Sequence, residues 1–267
     1  MKQVKISKDN IKQIEKKLRF YRQRASTYAP HPTKNKMVVA YEHFSKSKKA
    51  YEVAEIYNLK VCPYCNINYT YVVGERCRPD FDHFVPKSKN PNLALRVMNL
   101  IPCCQQCNSR FKLTKKFSYR DNIHPFLKDF DNLAEFTLDI DPTLDVKNIK
   151  DEVDFKINIK PQTGTSLDDI RRIQGNCDVL ALIERYNHHR NEVVKIINNA
   201  YTYIDGFINE IEDIVSDEKL LRQSIKKSPY VINLIFPDID CDINSTSLGK
   251  MKKDISNFVK DCWEKDV

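Results

Sequence analysis

Two pairs of cysteines could bind a metal ion together. Cys62 and Cys65 form the first pair, and Cys104 and Cys107 form the second. A gap of two residues lets both thiolates of a pair reach one ion at about 2.3 Å, and two such pairs close a tetrahedral shell. A closed shell has no open position, so the pattern predicts a structural Zn²⁺. Cys103 is an alternative ligand, but only Cys104 has the two-residue spacing to Cys107. Reduced, buried cysteines are the other interpretation, and two matched pairs in one segment favour zinc.

A carboxylate and an imidazole stand side by side between the cysteine pairs, as Asp82 and His83. An imidazole suits proton abstraction from water near neutral pH, and a carboxylate can hold a divalent cation against a phosphate oxygen. Alternating residue types over 81–85 predict a short strand, which directs the two side chains to opposite faces. We expect structural roles for the remaining histidines, which are His31, His43, His124, His188 and His189.

The order of these residues resembles that of the HNH endonucleases over residues 60–118. In that family a ββα-metal core, made of a hairpin and a helix, holds one catalytic divalent ion. The motifs that carry the resemblance are Cys62-x-x-Cys65, Asp82-His83-x-x-Pro86-x-Ser88, Asn99-Leu100-x-Pro102 and Cys104-x-x-Cys107-Asn108.

The resemblance implies a role for each of four residues. His83 matches the general base that activates water, and Asp82 matches the metal ligand beside it. Asn99 matches the asparagine that braces the loop and orients the histidine. Asn108 replaces the final histidine of the family, as in RNA-guided CRISPR nucleases and bacterial defence nucleases, where the amide oxygen coordinates the metal. An amide oxygen favours Mg²⁺ or Mn²⁺ over softer ions.

A second resemblance concerns the rest of the chain, including the helical segment 181–190. It is similar to bacterial HNH proteins that are encoded beside an ATPase in Septu-type antiphage systems. This resemblance implies an ATPase as partner protein and a role as an effector of antiphage defence.

Positive charge is concentrated around the predicted site and in the preceding segment. The formal net charge is +8, and residues 1–50 carry fourteen basic and three acidic residues. Such a distribution is typical of proteins that bind the phosphate backbone, with DNA favoured, whereas a solvated helix face is the alternative for the N-terminal cluster. Arg110 or Lys112 is positioned to stabilise transition-state charge. The candidate nucleic-acid contacts are Lys87, Lys89, Arg110, Lys112, Lys115 and Lys116.

The hydrophobic periodicity predicts an α+β, mostly helical fold. The resemblance implies a zinc-bound ββα-metal core, which we expect to be flanked by N-terminal helices and by a C-terminal helical region. The predicted regions are a basic helical region 1–59, the nuclease core 60–124, an acidic connection 125–165 and a helical region 166–267. The predicted helices cover 37–57, 109–117, 193–214 and 247–263, with one more after the N-cap Ser7; the predicted strands cover 69–73, 81–85, 136–140 and 153–159.

These observations favour a metal-dependent HNH endonuclease that hydrolyses phosphodiester bonds. The alternative is a non-catalytic zinc-ribbon subunit that binds nucleic acid within a larger complex, and it requires the cysteines and the basic surface but not Asp82, His83 and Asn108 together. No segment has the length of a membrane span, and the N-terminus lacks the apolar region of a signal peptide. We therefore expect a cytoplasmic protein.

Overall fold

The computed structural model describes residues 1–28, 34–211 and 228–265, with the backbone alone for 203–211. The fold is α+β, with two antiparallel sheets of two strands each among these residues. The chain divides into two compact units. The first unit contains Met1–Leu133, Thr163–Leu182 and Asn244–Ser247, and the second contains Ala134–Gln162, Ile183–Ile243 and Leu248–Val267.

Three helices open the first unit. Helix α1 covers Lys8–Gln23, and the Ser7 hydroxyl caps it as predicted by accepting from the Asn10 N–H at 3.0 Å. The predicted helix over 37–57 is two helices, α2 (Lys36–Ser45) and α3 (Lys48–Tyr57). The chain breaks between them because the Ser47 hydroxyl donates to the Phe44 carbonyl at 2.7 Å, a local bond that competes with the helix.

The hairpin around Asp82 uses a different partner from the predicted one. Strand β1 (Asp80–His83) pairs with β2 (Leu100–Cys103), which places Asp82 opposite Ile101. The predicted partner 69–73 is no strand and makes only isolated bridges, at Tyr69 and Val73. All four residues of β2 are buried, whereas Tyr69 and Val73 are half exposed. Burial on both faces therefore outweighed the alternating pattern that suggested a strand at 69–73.

A π-helix over Cys107–Lys112 follows β2 and contacts β1. It begins before the predicted helix 109–117 and ends earlier, because Leu113 adopts a left-handed φ of 48° that stops the helix. Its widened turn is closed by the Leu113 N–H, which donates to the Asn108 carbonyl at 3.0 Å. The order of strand, strand and helix is thus present around Asp82.

The second unit contains the other sheet and most of the C-terminal helices. Strands β3 (Ala134–Ile140) and β4 (Phe155–Pro161) overlap the predicted 136–140 and 153–159. The helices are α4 (Leu167–Leu180, in the first unit), α5 (Leu182–Tyr186), α6 (Arg190–Ile211), α7 (Pro229–Ile235) and α8 (Gly249–Lys265).

The predicted apolar stripe of α6 is confirmed where side chains are described. Val193, Ile197 and Ala200 are buried there, as predicted for one face of the helix. The rest of the stripe, from 204 to 214, lies outside the described side chains. Within the described ranges, no helix combines the length and the apolar character that a membrane crossing requires.

Candidate functional site

The four cysteines of the two pairs come together as predicted. Their sulfur atoms all lie within 4.8 Å of one another, and all four residues are buried. A tetrahedral zinc with Zn–S bonds of about 2.3 Å requires sulfurs about 3.8 Å apart. The Cys65 and Cys104 sulfurs are separated by 3.9 Å, so this cluster can hold a zinc ion. Cys103 is buried but is not part of the cluster.

Backbone N–H groups around the cluster favour thiolates over thiols. The Cys104 N–H donates to the Cys62 sulfur and the Cys107 N–H to the Cys104 sulfur, both at 3.4 Å. The pKa of the Cys104 thiol is lowered because the neighbouring cysteines donate hydrogen bonds to its sulfur. The tight turn after Cys62 is made possible by Asn66, whose φ is 54°. Zinc binds the deprotonated form, and these two N–H groups stabilise the thiolates of Cys62 and Cys104.

The π-helix lies over the face of β1 that carries Asp80 and Asp82. Asp80 and Asp82 share this face because side chains on a strand repeat every two residues. Asn108 and Lys112, four residues apart on the helix, reach Asp80 and Asp82 respectively. Each of these two acidic residues on the strand therefore accepts a hydrogen bond from one polar residue of the helix.

Asp82 is held on both sides by buried partners. The Tyr64 hydroxyl donates to Oδ2 at 2.7 Å, and the Lys112 ammonium donates to Oδ1 at 2.9 Å. Lys112 also donates to the His83 carbonyl at 2.6 Å. Asp82 is 3% exposed and Lys112 1%. A carboxylate has about four lone-pair sites, so two of them stay available to a further ligand.

His83 is fixed in one tautomer by its surroundings. Its Nε2 lies 2.9 Å from the Ala94 carbonyl oxygen, which can only accept a hydrogen bond, so Nε2 carries the proton. Nδ1 is then the unprotonated nitrogen. The Tyr41 ring packs edge-on against the imidazole with centroids 4.3 Å apart. Burial, followed by the positive charge of Lys87, lowers the pKa of His83 to about 3, so the ring is neutral at pH 7.

Asn99 ties the loop that follows β1. Its Oδ1 accepts from the Val85 N–H at 2.8 Å, and its Nδ2 donates to the carbonyls of Val85 and Leu93, both at 3.1 Å. Leu93 precedes Ala94, whose carbonyl holds His83. Asn99 is 2% exposed, and all its bonds go to this loop. Asn99 therefore braces the loop that contains Ala94.

Asn108 is oriented by a carboxylate that the sequence patterns did not single out. Its Nδ2 donates to Oδ2 of Asp80 at 3.1 Å. Because a carboxylate only accepts, the NH₂ group must face Asp80 and the amide oxygen must face away from it. Within the described part of the chain, this amide oxygen has no hydrogen-bond donor.

A cavity of about 220 Å³ opens beside these residues. Asp82, His83 and Asn108 line it together with Lys87 and Lys112. Burial lowers the pKa of Lys87, which is half-buried at the wall. The predicted nucleic-acid contacts that lie exposed on the surface are Lys89, Arg110, Lys115 and Lys116.

Lys112 departs from its predicted role. Its ammonium is buried in the ion pair with Asp82, so it is not an exposed contact for a phosphate backbone.

Two residues of the site, Tyr64 and Asp80, were not predicted from the sequence. Asp80 could have been found from the strand period of two, since it precedes Asp82 by two residues. Tyr64 had a weaker signal, because a tyrosine between two zinc-binding residues is buried and must find a partner for its hydroxyl.

Comparisons with protein-family models, with curated proteins and with solved structures give no match to this chain.

Proposed function

We propose that this protein is an HNH-type, metal-dependent endonuclease that hydrolyses phosphodiester bonds, with DNA as the favoured substrate. The observation that carries the proposal is the joint presence of Asp82, His83 and Asn108 at one cavity, the first two on β1 and the third on the π-helix that follows the β1–β2 hairpin. A neutral histidine and two hard oxygen donors are the groups that this hydrolysis requires.

Asp82 and Asn108 are the residues that would hold the catalytic Mg²⁺ or Mn²⁺. Two features of their contacts make these residues suitable ligands for a divalent cation. Asp82 keeps lone pairs beyond those used by Tyr64 and Lys112, and Asp80 turns the amide oxygen of Asn108 away from itself. Carboxylate and amide oxygens suit both ions. When bound, the cation would polarise the scissile phosphate and stabilise the leaving oxygen.

His83 is the general base in this proposal. Its Nε2 proton is engaged by the Ala94 carbonyl, so Nδ1 takes the proton from the attacking water. The lowered pKa keeps the imidazole unprotonated at neutral pH. Asn99 positions the loop that supplies this carbonyl, and Lys87 adds positive charge at the cavity wall for the phosphate.

The zinc of the four-cysteine cluster is structural in this account. Four thiolates complete its shell and leave no position for water. The cluster joins the segment before β1 to the start of the π-helix, which carries Asn108 and Lys112. Zinc therefore stabilises the placement of the catalytic groups without taking part in the chemistry.

The experiment that tests the proposal is incubation of the purified protein with supercoiled plasmid, linear duplex and RNA. Each substrate is tested with Mg²⁺, with Mn²⁺ and without a divalent ion. We expect metal-dependent cleavage within the strands, and DNA to be cut faster than RNA. Binding without cleavage under every condition would refute the nuclease and favour the non-catalytic zinc-ribbon subunit. Repeating the assay with a co-purified ATPase tests the proposed partner and the role in antiphage defence.

A further inference from the structure

A second basic cavity lies in the first unit, on the helices that precede the zinc segment. It has a volume of about 420 Å³ and is formed by side chains of α1 and α3. Lys16, Phe20 and the C-cap residue Arg24 follow one another at intervals of four residues, so they lie along one face of α1. Lys49 approaches from α3. We call Lys16, Arg24 and Lys49, grouped around Phe20, the braced cluster.

An aromatic ring holds two of these cations in place. The Arg24 guanidinium and the Lys49 ammonium each lie 3.7 Å from the centroid of the Phe20 ring. The negative face of an aromatic ring attracts a cation. Such a contact restricts the side chain without cancelling its charge. The two cations are thus ordered and remain available to an anion.

Carboxylates neutralise neighbouring basic residues but not this cluster. Lys17, beside the cavity, pairs with Glu52. Lys16, Arg24 and Lys49 have no such ion pair with any residue that the structure describes. Positive charge that no carboxylate neutralises therefore stands at the cavity, on Lys16 and Lys49, and on Arg24 beside Phe20, where it attracts an anion.

We propose that the braced cluster binds the phosphodiester backbone of nucleic acid, apart from the cavity that contains His83. Lys16 and Arg24 are about 12 Å apart along α1, from the rise of 1.5 Å per residue. This length corresponds to three to four nucleotides at about 3.4 Å each. Arg22 connects α1 to the loop whose Ala94 carbonyl holds His83, because it donates to the neighbouring Leu95 carbonyl at 2.8 Å. The choice of nucleic acid as the polyanion rests on the proposed function.

The test measures binding rather than cleavage. Fluorescence anisotropy of a labelled duplex is recorded across a range of salt concentrations, with His83→Ala protein and no added divalent ion. Lys16→Gln/Lys49→Gln should weaken affinity by tenfold or more at about 0.1 M salt, and the slope of log affinity against log salt should become shallower by about 1.8. The matched control is Lys150→Gln/Lys156→Gln, which removes two exposed lysines from the second unit and should change neither quantity.

Phe20→Leu removes the aromatic ring but keeps the three cations. We expect it to weaken the affinity for the duplex by about twofold to fivefold, because the cations lose the ring that orders them. Lys16→Arg/Lys49→Arg should keep the parent affinity. Equal affinity and salt slope for the Gln double variant and its control would overturn the proposal. The proposal would also be overturned if the Gln double variant lost binding to phosphatidylserine vesicles but kept the parent affinity for DNA. If the wild type cuts no nucleic acid but its binding depends on the cluster, the nuclease proposal fails and this one stands.

Discussion

Replacing Lys112 tests the buried ion pair that supports the site. Lys112→Met keeps the unbranched stem but removes the ammonium, which donates to Asp82 at 2.9 Å and to the His83 carbonyl at 2.6 Å. Among the side-chain bonds of Asp82 described above, the bond from Tyr64 would remain, and the carboxylate would still be largely buried. Removing one partner of a buried pair typically costs about 3–5 kcal/mol, because the other charge is left uncompensated.

We therefore expect Lys112→Met to lower the free energy of unfolding by about 3–5 kcal/mol at pH 7.

Urea unfolding followed by circular dichroism, with zinc present, measures the effect. Arg110→Met is the matched control, since Arg110 is exposed on the same π-helix and its loss should cost less than about 0.5 kcal/mol. Asp82→Asn in the Lys112→Met background should recover part of the stability, because it removes the unpaired charge. A loss below about 1 kcal/mol for Lys112→Met, or a double variant no more stable than the single one, would refute the reasoning.

Three further predictions concern the metal sites and a buried histidine. Cys65→Ser should remove most of the bound zinc, measured by atomic absorption against about one ion per chain in the exposed-thiol control Cys77→Ser; equal zinc in both would contradict the cluster. Asn108→Ala should raise the Mg²⁺ concentration needed for half-maximal cleavage with little effect on DNA affinity. Asp80→Asn should raise this concentration less strongly, because Asp80 only orients the amide. Full activity of both variants at limiting Mg²⁺ would contradict the assignment of Asn108 as a metal ligand. His124 accepts a backbone N–H on Nδ1, and burial lowers its pKa below 6.5, so the folded state binds the proton more weakly than the unfolded state. The contribution of neutral His124 to stability is thus complete above pH 6.5 and is lost as the pH falls below it. The urea midpoint should therefore fall more between about pH 7.5 and 5.5 in the wild type than in His124→Gln. Equal decreases in the two proteins would contradict this.

The local parts of the site were predictable from sequence. The spacing of Cys62 and Cys65 fixes which sulfurs reach one ion, because ligand geometry within a turn depends on only four residues. Ser7 was found as an N-cap for the same reason, since its bond spans three residues. Asp82 and His83 were placed on a strand by alternation alone.

The non-local parts were not predictable. The partner of β1 is the buried β2, and the choice between it and 69–73 depends on which segment the rest of the fold covers. Lys112 was predicted to contact nucleic acid as part of the positive charge around the site, but its partner Asp82, thirty residues away, holds it in a buried ion pair. Pairings across such distances follow from the packed structure and leave no periodic pattern in the sequence.

The most direct test of the central claim is the cleavage rate of His83→Ala at saturating protein with Mg²⁺. His188→Ala, which makes the same change at an exposed histidine, is the control. Loss of a general base should slow cleavage by about 10²- to 10⁴-fold, while DNA affinity, zinc content and the circular dichroism spectrum stay at the level of the parent. Cleavage by His83→Ala at the wild-type rate would contradict the assignment of His83 as the base.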